Sequence, residues 1–163
     1  NPHDISNFIN RADKLICTLS SNQELIYSIQ IQHKDGFYVS ADESKEYDLI
    51  CDRKQPSNWE KFELIKIGRD KYNIRAWNGK FVSLKSSDYS QLVANRDKSD
   101  EWEEFTIKKF DEEFVYIKSY RKGVVSVNFD KGSCVRANKK DINNWELFRI
   151  ILLDQDSNNI FNY

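Results

Sequence analysis

The sequence has 163 residues, a length that suits one domain with a sizeable hydrophobic core. Lys and Arg number 25 against 26 Asp and Glu, and the formal net charge of -1 argues against a dedicated duplex-DNA or anionic-membrane binder. Hydrophobic residues make up 39% of the chain and aromatic residues 13%, which favours a globular domain over a disordered one. No apolar run reaches the roughly 18 residues of a membrane helix. We therefore expect neither a nucleic-acid partner nor membrane insertion.

Residues 1–23 predict an amphipathic helix that lies outside the pattern of the remaining chain. Asp4 is a suitable N-cap, and the polar residues 20–22 favour a stop. The apolar residues recur at the spacing of one helix face, namely Ile5, Phe8, Ile9, Ala12, Leu15, Ile16 and Leu19. Since the chain opens at Asn1 and contains no Met, we expect a processed product or a piece of a longer protein.

From residue 24 onward the chain repeats itself at a step of 43 residues. Trp59, Trp102 and Trp145 are separated by this step. The same step relates further triplets: Ile31, Ile74 and Ile117; Val39, Val82 and Val125; Ser40, Ser83 and Ser126; Cys51, Ala94 and Ala137; Arg53, Arg96 and Lys139; Glu60, Glu103 and Glu146; Phe62, Phe105 and Phe148. Composition does not explain so many matches at one offset, and they predict three copies of one structural unit.

Each copy has the pattern of about four short strands. In the second copy, residues 72–77, 80–84, 91–95 and 101–107 favour strands, and Asn78-Gly79 is a favoured hairpin pair. Asp35-Gly36 and Lys122-Gly123 occupy the corresponding turn of the other two copies. The chain therefore predicts about twelve strands.

Three such units predict an all-β fold in which hairpins cap a single closed barrel. Three units are few for a propeller, whereas barrel closure removes exposed sheet edges and converts sequence symmetry into structural symmetry. This architecture is the β-trefoil, which we place at residues 24–153. Residues 154–163 are polar and Asn-rich and are expected to form a loosely held tail.

Several motifs resemble those of the fascin-like, or actin-crosslinking, β-trefoil family. They are Phe-Tyr-Val-Ser-Ala at 37–41, Leu-Val-Ala-Asn-Arg at 92–96 and Trp-Glu-Glu-Phe at 102–105. The last two look most like copies in accessory domains of secreted polysaccharide-degrading enzymes. The resemblance covers about 130 residues and implies the fold. This sequence differs from fascin because it has one trefoil, and it differs from the His-rich branch of the family because it has only two histidines.

The repeated aromatic and charged residues each allow a structural and a functional interpretation. We expect Trp59, Trp102 and Trp145 to pack at the base of the barrel, because periodic aromatic residues usually mark a core. Arg53, Arg96 and Lys139 form either three polar pockets or structural pairs with the repeated glutamates, and we favour the pairs. The fourth tryptophan, Trp77, breaks the repeat beside a turn and is a ligand candidate, with a half-buried hairpin position as the alternative.

The loops after the second strand of each copy differ, and function is expected to vary there. Each loop combines an aromatic residue with an aspartate, a chemistry that suits the apolar face and the hydroxyls of a sugar ring. The alternative is three solvated hairpin loops. With Trp77, the predicted ligand-binding residues are Asp42, Tyr47, Asp88, Tyr89, Asn128, Phe129 and Asp130.

The sequence contains no recognisable catalytic, cofactor or metal motif. His3 and His33 fit no Ser-His-Asp arrangement, no phosphate-binding loop occurs, and the three cysteines lack the spacing of a zinc site. Cys17, Cys51 and Cys134 cannot all pair and are expected to be free, buried thiols. Free thiols favour a reducing compartment, whereas the motif resemblance favours secretion.

The sequence thus predicts a non-catalytic binding module of a larger protein. The first hypothesis is a lectin-like carbohydrate-binding domain, with a glycan or polysaccharide as partner. The alternative is a module that binds actin or another protein through Arg53, Arg96, Lys139 and the N-terminal helix.

Overall fold

A computed structural model describes residues 25–153 of the chain. The expected N-terminal helix at 1–23 and the expected tail at 154–163 lie outside the described residues, as does Cys17. The twelve strands are β1 (Leu25–His33), β2 (Tyr38–Asp42), β3 (Asp48–Arg53), β4 (Phe62–Gly68), β5 (Lys71–Ala76), β6 (Phe81–Lys85), β7 (Asp88–Arg96), β8 (Phe105–Lys109), β9 (Val115–Ser119), β10 (Val124–Asn128), β11 (Cys134–Lys139) and β12 (Phe148–Leu152). Short 3-10 turns occupy Glu43–Lys45, Asn58–Glu60, Glu101–Glu103 and Asn144–Glu146.

Six strands close into a barrel. Strand β1 pairs with β4 and β12, β5 pairs with β4 and β8, and β9 pairs with β8 and β12, all antiparallel. The other six strands form the hairpins β2–β3, β6–β7 and β10–β11, which also pair with one another through β3, β7 and β11. The predicted all-β, β-trefoil architecture is confirmed.

The three units contribute equivalent side chains to the core. Phe62, Phe105 and Phe148 are buried from three barrel strands, in agreement with their spacing of 43 residues. The triplets Ile29, Tyr72 and Val115, then Leu64, Ile107 and Ile150, and then Leu49, Leu92 and Val135 are buried in the same way. Because each unit supplies one third of every such set, none of them can bury its apolar face alone.

Two of the three cysteines lie within the described residues, and both are buried. Cys51 and Cys134 are free and buried, as expected. Burial raises the pKa of the Cys51 thiol to about 12, since an apolar environment disfavours the thiolate.

The third repeat turn differs from the expected Lys122-Gly123 hairpin pair. Gly36 and Gly79 adopt φ values of 99° and 81°, but in the third unit the left-handed residue is Arg121, with φ 59°. Gly123 is needed for close approach instead, because a Cβ there would lie 2.6 Å from the carbonyl oxygen of Lys139. Within the described chain, no helix is long and apolar enough to cross a membrane.

Candidate functional site

The repeated Trp-Glu pairs lie in 3-10 turns, although the sequence predicted the start of a strand there. In each turn the glutamate accepts a hydrogen bond from a backbone N–H three residues earlier: Ser57 to Glu60 at 2.7 Å, Asp100 to Glu103 at 2.7 Å, and Asn143 to Glu146 at 2.8 Å. This is a capping-box arrangement, and it buries all three glutamates. The glutamates therefore fix the backbone of the turn.

The expectation that the repeated tryptophans belong to the core is wrong. Trp102 is 42% exposed and Trp145 is 48% exposed, while Trp59 is half-buried. The physical reason is the short turn, which buries its last residue and leaves its middle residue at the surface. Sequence periodicity detects a repeated side chain but does not distinguish a repeated core position from a repeated surface position.

The second unit carries a cavity of about 500 Å³, here called the second-unit groove, which Tyr89, Arg96, Asp97, Asp100 and Trp102 line together with their neighbours. Tyr89 is 65% exposed, so the groove holds two exposed aromatic rings. Tyr89 was predicted as a ligand residue, whereas the sequence reasoning missed Trp102.

Arg96 supplies unused hydrogen-bond donors to the second-unit groove. Its Nε lies 4.0 Å from Glu103 Oε2, and one terminal nitrogen donates to the carbonyl of Leu84 at 3.4 Å. The sequence predicted a pair between Arg96 and Glu103, and the structure shows this pair at a long distance. A guanidinium has five N–H donors, so several are left for a ligand. Asp97, one of the acidic residues that line the groove, is paired with Lys80.

The third unit has a cavity of about 370 Å³, the third-unit groove, which the predicted residues Asn128, Phe129 and Asp130 line with Lys139 and Trp145. The two aromatic rings pack against each other, with centroids 5.3 Å apart. Phe129 also contacts the buried ring of His33, with centroids 5.2 Å apart. The rings of this groove are therefore more occupied by protein contacts than those of the second-unit groove.

His33 is fixed behind the third-unit groove by two hydrogen bonds. Its Nδ1 accepts from the backbone N–H of Asp35 at 3.1 Å, which leaves Nε2–H to donate to the carbonyl of Trp145 at 3.1 Å. The imidazole also stacks on the Trp145 ring, with centroids 6.0 Å apart. Burial lowers the pKa of His33, because the site favours the neutral ring.

The predicted ligand residues Asp42 and Tyr47 of the first unit, and Trp77 of the second unit, hold the structure together. Asp42 is 3% exposed and accepts hydrogen bonds from the backbone N–H and the hydroxyl of Ser44, at 3.0 and 2.6 Å. Trp77 donates from Nε1 to the carbonyl of Ala41 at 2.8 Å, and its ring packs against Tyr47 with centroids 5.7 Å apart. These three residues are engaged in packing, as the alternative interpretation of Trp77 anticipated.

Asp88 is the first residue of strand β7, and it pairs with Lys85 of β6 across the hairpin. The loop expected between the second and third strands of this unit, at residues 85–90, is therefore shorter than predicted. The Asp88 carboxylate accepts from Arg136 at 2.6 Å, and this hydrogen bond lowers the pKa of Asp88. Asp88 is therefore paired, while the neighbouring Tyr89 is free to contact a ligand. Among residues 25–153, no group of three or more His, Cys, Asp or Glu could hold a metal ion.

Comparisons with known proteins agree on the fold. Residues 22–93 match the model of a domain of unknown function, DUF7910. A comparison with curated proteins finds no match. The designed 3-fold symmetric protein ThreeFoil superposes with a TM-score of 0.68 at 12% identity, over 77% of this chain and 99% of its own.

Two natural structures are similar to this chain at the same level. SeviL, solved bound to the asialo-GM1 saccharide, has a TM-score of 0.63 at 16% identity, over 80% of this chain and 99% of its own. The exo-beta-1,3-galactanase 1,3Gal43A from Clostridium thermocellum has a TM-score of 0.65 at 10% identity, over 78% of this chain and 30% of its own. These TM-scores show a shared β-trefoil fold, and at such low identity they show the fold alone. The fascin-like relationship is not shown and stays a prediction.

Proposed function

We propose that this chain is a non-catalytic carbohydrate-binding module whose principal site is the second-unit groove. The observation that carries the proposal is the presence of two exposed aromatic rings, Trp102 and Tyr89, in one cavity with the Arg96 guanidinium. Aromatic faces pack on the apolar face of a pyranose, and guanidinium N–H groups donate to its hydroxyl oxygens. The cavity of about 500 Å³ is also within the usual range of small-molecule sites.

Binding without catalysis is supported by the engagement of the acidic groups at the groove. Glu103 accepts from the backbone N–H of Asp100 and from the hydroxyl of Ser83, the latter at 2.6 Å. Asp97 is paired with Lys80. A glycosidase needs two carboxyl groups placed on either side of a scissile bond, one of them available as a proton donor. Asp100, the third carboxylate of the groove, accepts from the backbone N–H of Glu103 in the capping box, so all three carboxylates have protein partners.

The structural neighbours support the same proposal by analogy. SeviL is described as bound to a saccharide, and 1,3Gal43A is described as an exo-galactanase. A shared fold hosts many functions, so the argument for this chain depends on its own groove.

The test is a glycan array probed with the full chain displayed multivalently, because shallow sites gain strongly from avidity. Trp102→Ala and Tyr89→Ala are expected to weaken binding about tenfold or more, the effect of losing about 1.4 kcal/mol of ring stacking. Phe110→Ala is the matched control, since Phe110 is 49% exposed but does not line the groove. Trp145→Ala reports whether the third-unit groove contributes.

A wild-type protein that retains no glycan would contradict the proposal, as would a Trp102→Ala variant that binds as well as wild type. A blank array would move attention to a protein partner, which filament sedimentation would test for actin. Of the three basic residues assigned to that alternative, Arg53 is bound to Asp42 and Asp52, and the helix assigned to the partner surface lies outside residues 25–153.

A further inference from the structure

Four lysines surround a cavity of about 670 Å³ beside the second-unit groove. Lys118, Lys122, Lys139 and Lys140, here called the lysine cluster, line it together with Tyr89 and Asp88. All four lysines are exposed. Lys139 and Lys140 are adjacent in the sequence, whereas Lys118 and Lys122 lie earlier in the chain and are brought close to them by the fold.

The sheet register explains how the lysine cluster forms. Val124 pairs with Lys118 on one side and with Lys139 on the other, so these two lysines flank one residue of β10. Gly123 allows the turn that carries Lys122 to approach the end of β11, because a Cβ there would lie 2.6 Å from the carbonyl oxygen and 2.7 Å from the nitrogen of Lys139. The cluster is therefore built into the backbone of the third unit.

The lysine cluster is positively charged although the whole chain has a net charge of -1. Within residues 25–153, none of the four ammonium groups forms an ion pair with a carboxylate. Asp88, the acidic residue that lines the cavity, is paired with Arg136 at 2.6 Å. Like charges concentrated around a concave surface repel one another and attract an anion.

The lysine cluster is continuous with the second-unit groove through Tyr89, which lines both cavities. The Lys122 ammonium lies 5.7 Å from the centroid of the Tyr89 ring. A glycan chain that stacks on Trp102 and Tyr89 would therefore extend toward the four ammonium groups.

We propose that the ligand of this module is an anionic polysaccharide, with a sulfate or carboxylate group held by the lysine cluster while a sugar ring stacks on Trp102 and Tyr89. The inference rests on the proposed carbohydrate-binding function and names the class of its ligand. The net charge of -1 argues against a dedicated binder of nucleic acid, the other polyanion that a basic groove with aromatic rings could hold.

The experiment measures the affinity of the full chain for heparin and for the same heparin after desulfation, and for polygalacturonate and its methyl ester. The polymers within each pair have the same sugar backbone. The first pair therefore tests recognition of sulfate, and the second pair tests recognition of carboxylate. The variant Lys122→Gln/Lys140→Gln removes two charges from the cluster. The control Lys45→Gln/Lys108→Gln removes two charges from exposed lysines that do not line the cavity.

The proposal expects either heparin to bind about tenfold more tightly than desulfated heparin, which keeps its carboxylates, or polygalacturonate to bind about tenfold more tightly than its neutral methyl ester, a difference of about 1.4 kcal/mol. Lys122→Gln/Lys140→Gln should remove most of that difference and weaken its salt dependence, whereas the control variant should keep both. Trp102→Ala should weaken the anionic and the neutralised polymer alike.

Equal binding of both forms, lost in Trp102→Ala but unchanged in the cluster variant, would overturn this inference and leave the proposed function intact. Binding of every polyanion, including polyphosphate, without dependence on Trp102 would overturn it as non-specific attraction. Absence of binding to any glycan, charged or neutral, would remove the proposed function and this inference together.

Discussion

The first and second units place an arginine and a tryptophan at equivalent positions and yet present different surfaces. In the first unit the Arg53 guanidinium lies over the Trp59 ring, 5.4 Å from its centroid, and binds Asp42 at 3.1 Å. In the second unit Arg96 turns toward Glu103 and the carbonyl of Leu84. Trp59 is half-buried beside Arg53 and the stacked ring of Trp77, whose centroid lies 6.0 Å away, whereas Trp102 lines an open groove.

One position contributes to this difference. The residue at the end of the second strand is Asp42 in the first unit and Lys85 in the second, 43 residues later. The carboxylate of Asp42 binds Arg53, whereas Lys85 offers Arg96 no acceptor and pairs with Asp48 at 3.1 Å. The two units therefore differ both in the charge at this position and in the ring that contacts the repeated tryptophan, which is Trp77 for Trp59 and Tyr120 for Trp102.

The largest expected effect is that of Asp42→Ala, which should lower the free energy of unfolding by about 3 kcal/mol. The substitution removes a buried carboxylate that caps a turn and holds Arg53. Lys85→Ala, the matched change in the second unit, should cost at most about 1 kcal/mol, since its ion pair is partly exposed. Urea unfolding measures both, and equal losses would contradict the comparison.

The buried serines should show the next largest difference. Ser83 donates to the charged Glu103 at 2.6 Å, whereas Ser40 donates to the neutral carbonyl of Ile50 at 3.3 Å. Hydrogen bonds to charged groups are stronger, so Ser83→Ala should cost about 2 kcal/mol and Ser40→Ala about 1 kcal/mol. Ser126→Ala should resemble Ser83→Ala, because Ser126 donates to Glu146 at 2.6 Å. The same cost at all three positions would refute this reasoning.

Arg53→Ala should uncover the first-unit tryptophan at a cost of about 1 kcal/mol, the scale of a partly exposed ion pair with a cation–π contact. Acrylamide quenching of tryptophan fluorescence should increase as Trp59 becomes exposed. Arg96→Ala should change stability by less than about 0.5 kcal/mol and instead weaken glycan binding. If quenching is unaltered in Arg53→Ala, the guanidinium does not shield the ring.

The smallest expected effect is a pH dependence of stability caused by His33. The second unit has Ala76 at the equivalent position, which does not titrate. Burial lowers the pKa of His33 below its value in the unfolded chain, so the unfolded state binds more protons as pH falls below about 6.5. Stability should therefore decrease from pH 7.5 toward pH 5.5.

His33→Gln should remove this dependence, because glutamine does not titrate in that range. His3→Gln is the matched control, since these are the two histidines of the chain. Urea midpoints across the pH range give the comparison. A slope that persists in His33→Gln would show that other groups are responsible.

Much of the fold could be predicted because the apolar residues that form its core repeat at a constant spacing along the chain. The triplet Phe62, Phe105 and Phe148 and the other matches at 43 residues identify three units, and the phenylalanine and aliphatic triplets are buried as their repetition implies. The site was less predictable. Tyr89 is exposed in the second-unit groove and stays a predicted ligand residue, whereas Asp42 and Trp77 were assigned to a ligand and are engaged in internal hydrogen bonds.

The sequence by itself determined the number of units, the closed barrel and the positions that form the core, because burial of apolar side chains follows a pattern along the chain. Only the tertiary structure decided which repeated side chains stay at the surface. The exposure of Trp102 depends on a 3-10 turn and on the direction of Arg96. The lysine cluster depends on strand register, which brings Lys118 and Lys139 to either side of Val124 from separate parts of the chain. Contacts of this kind are set by pairing across the sheet, and linear spacing does not record them.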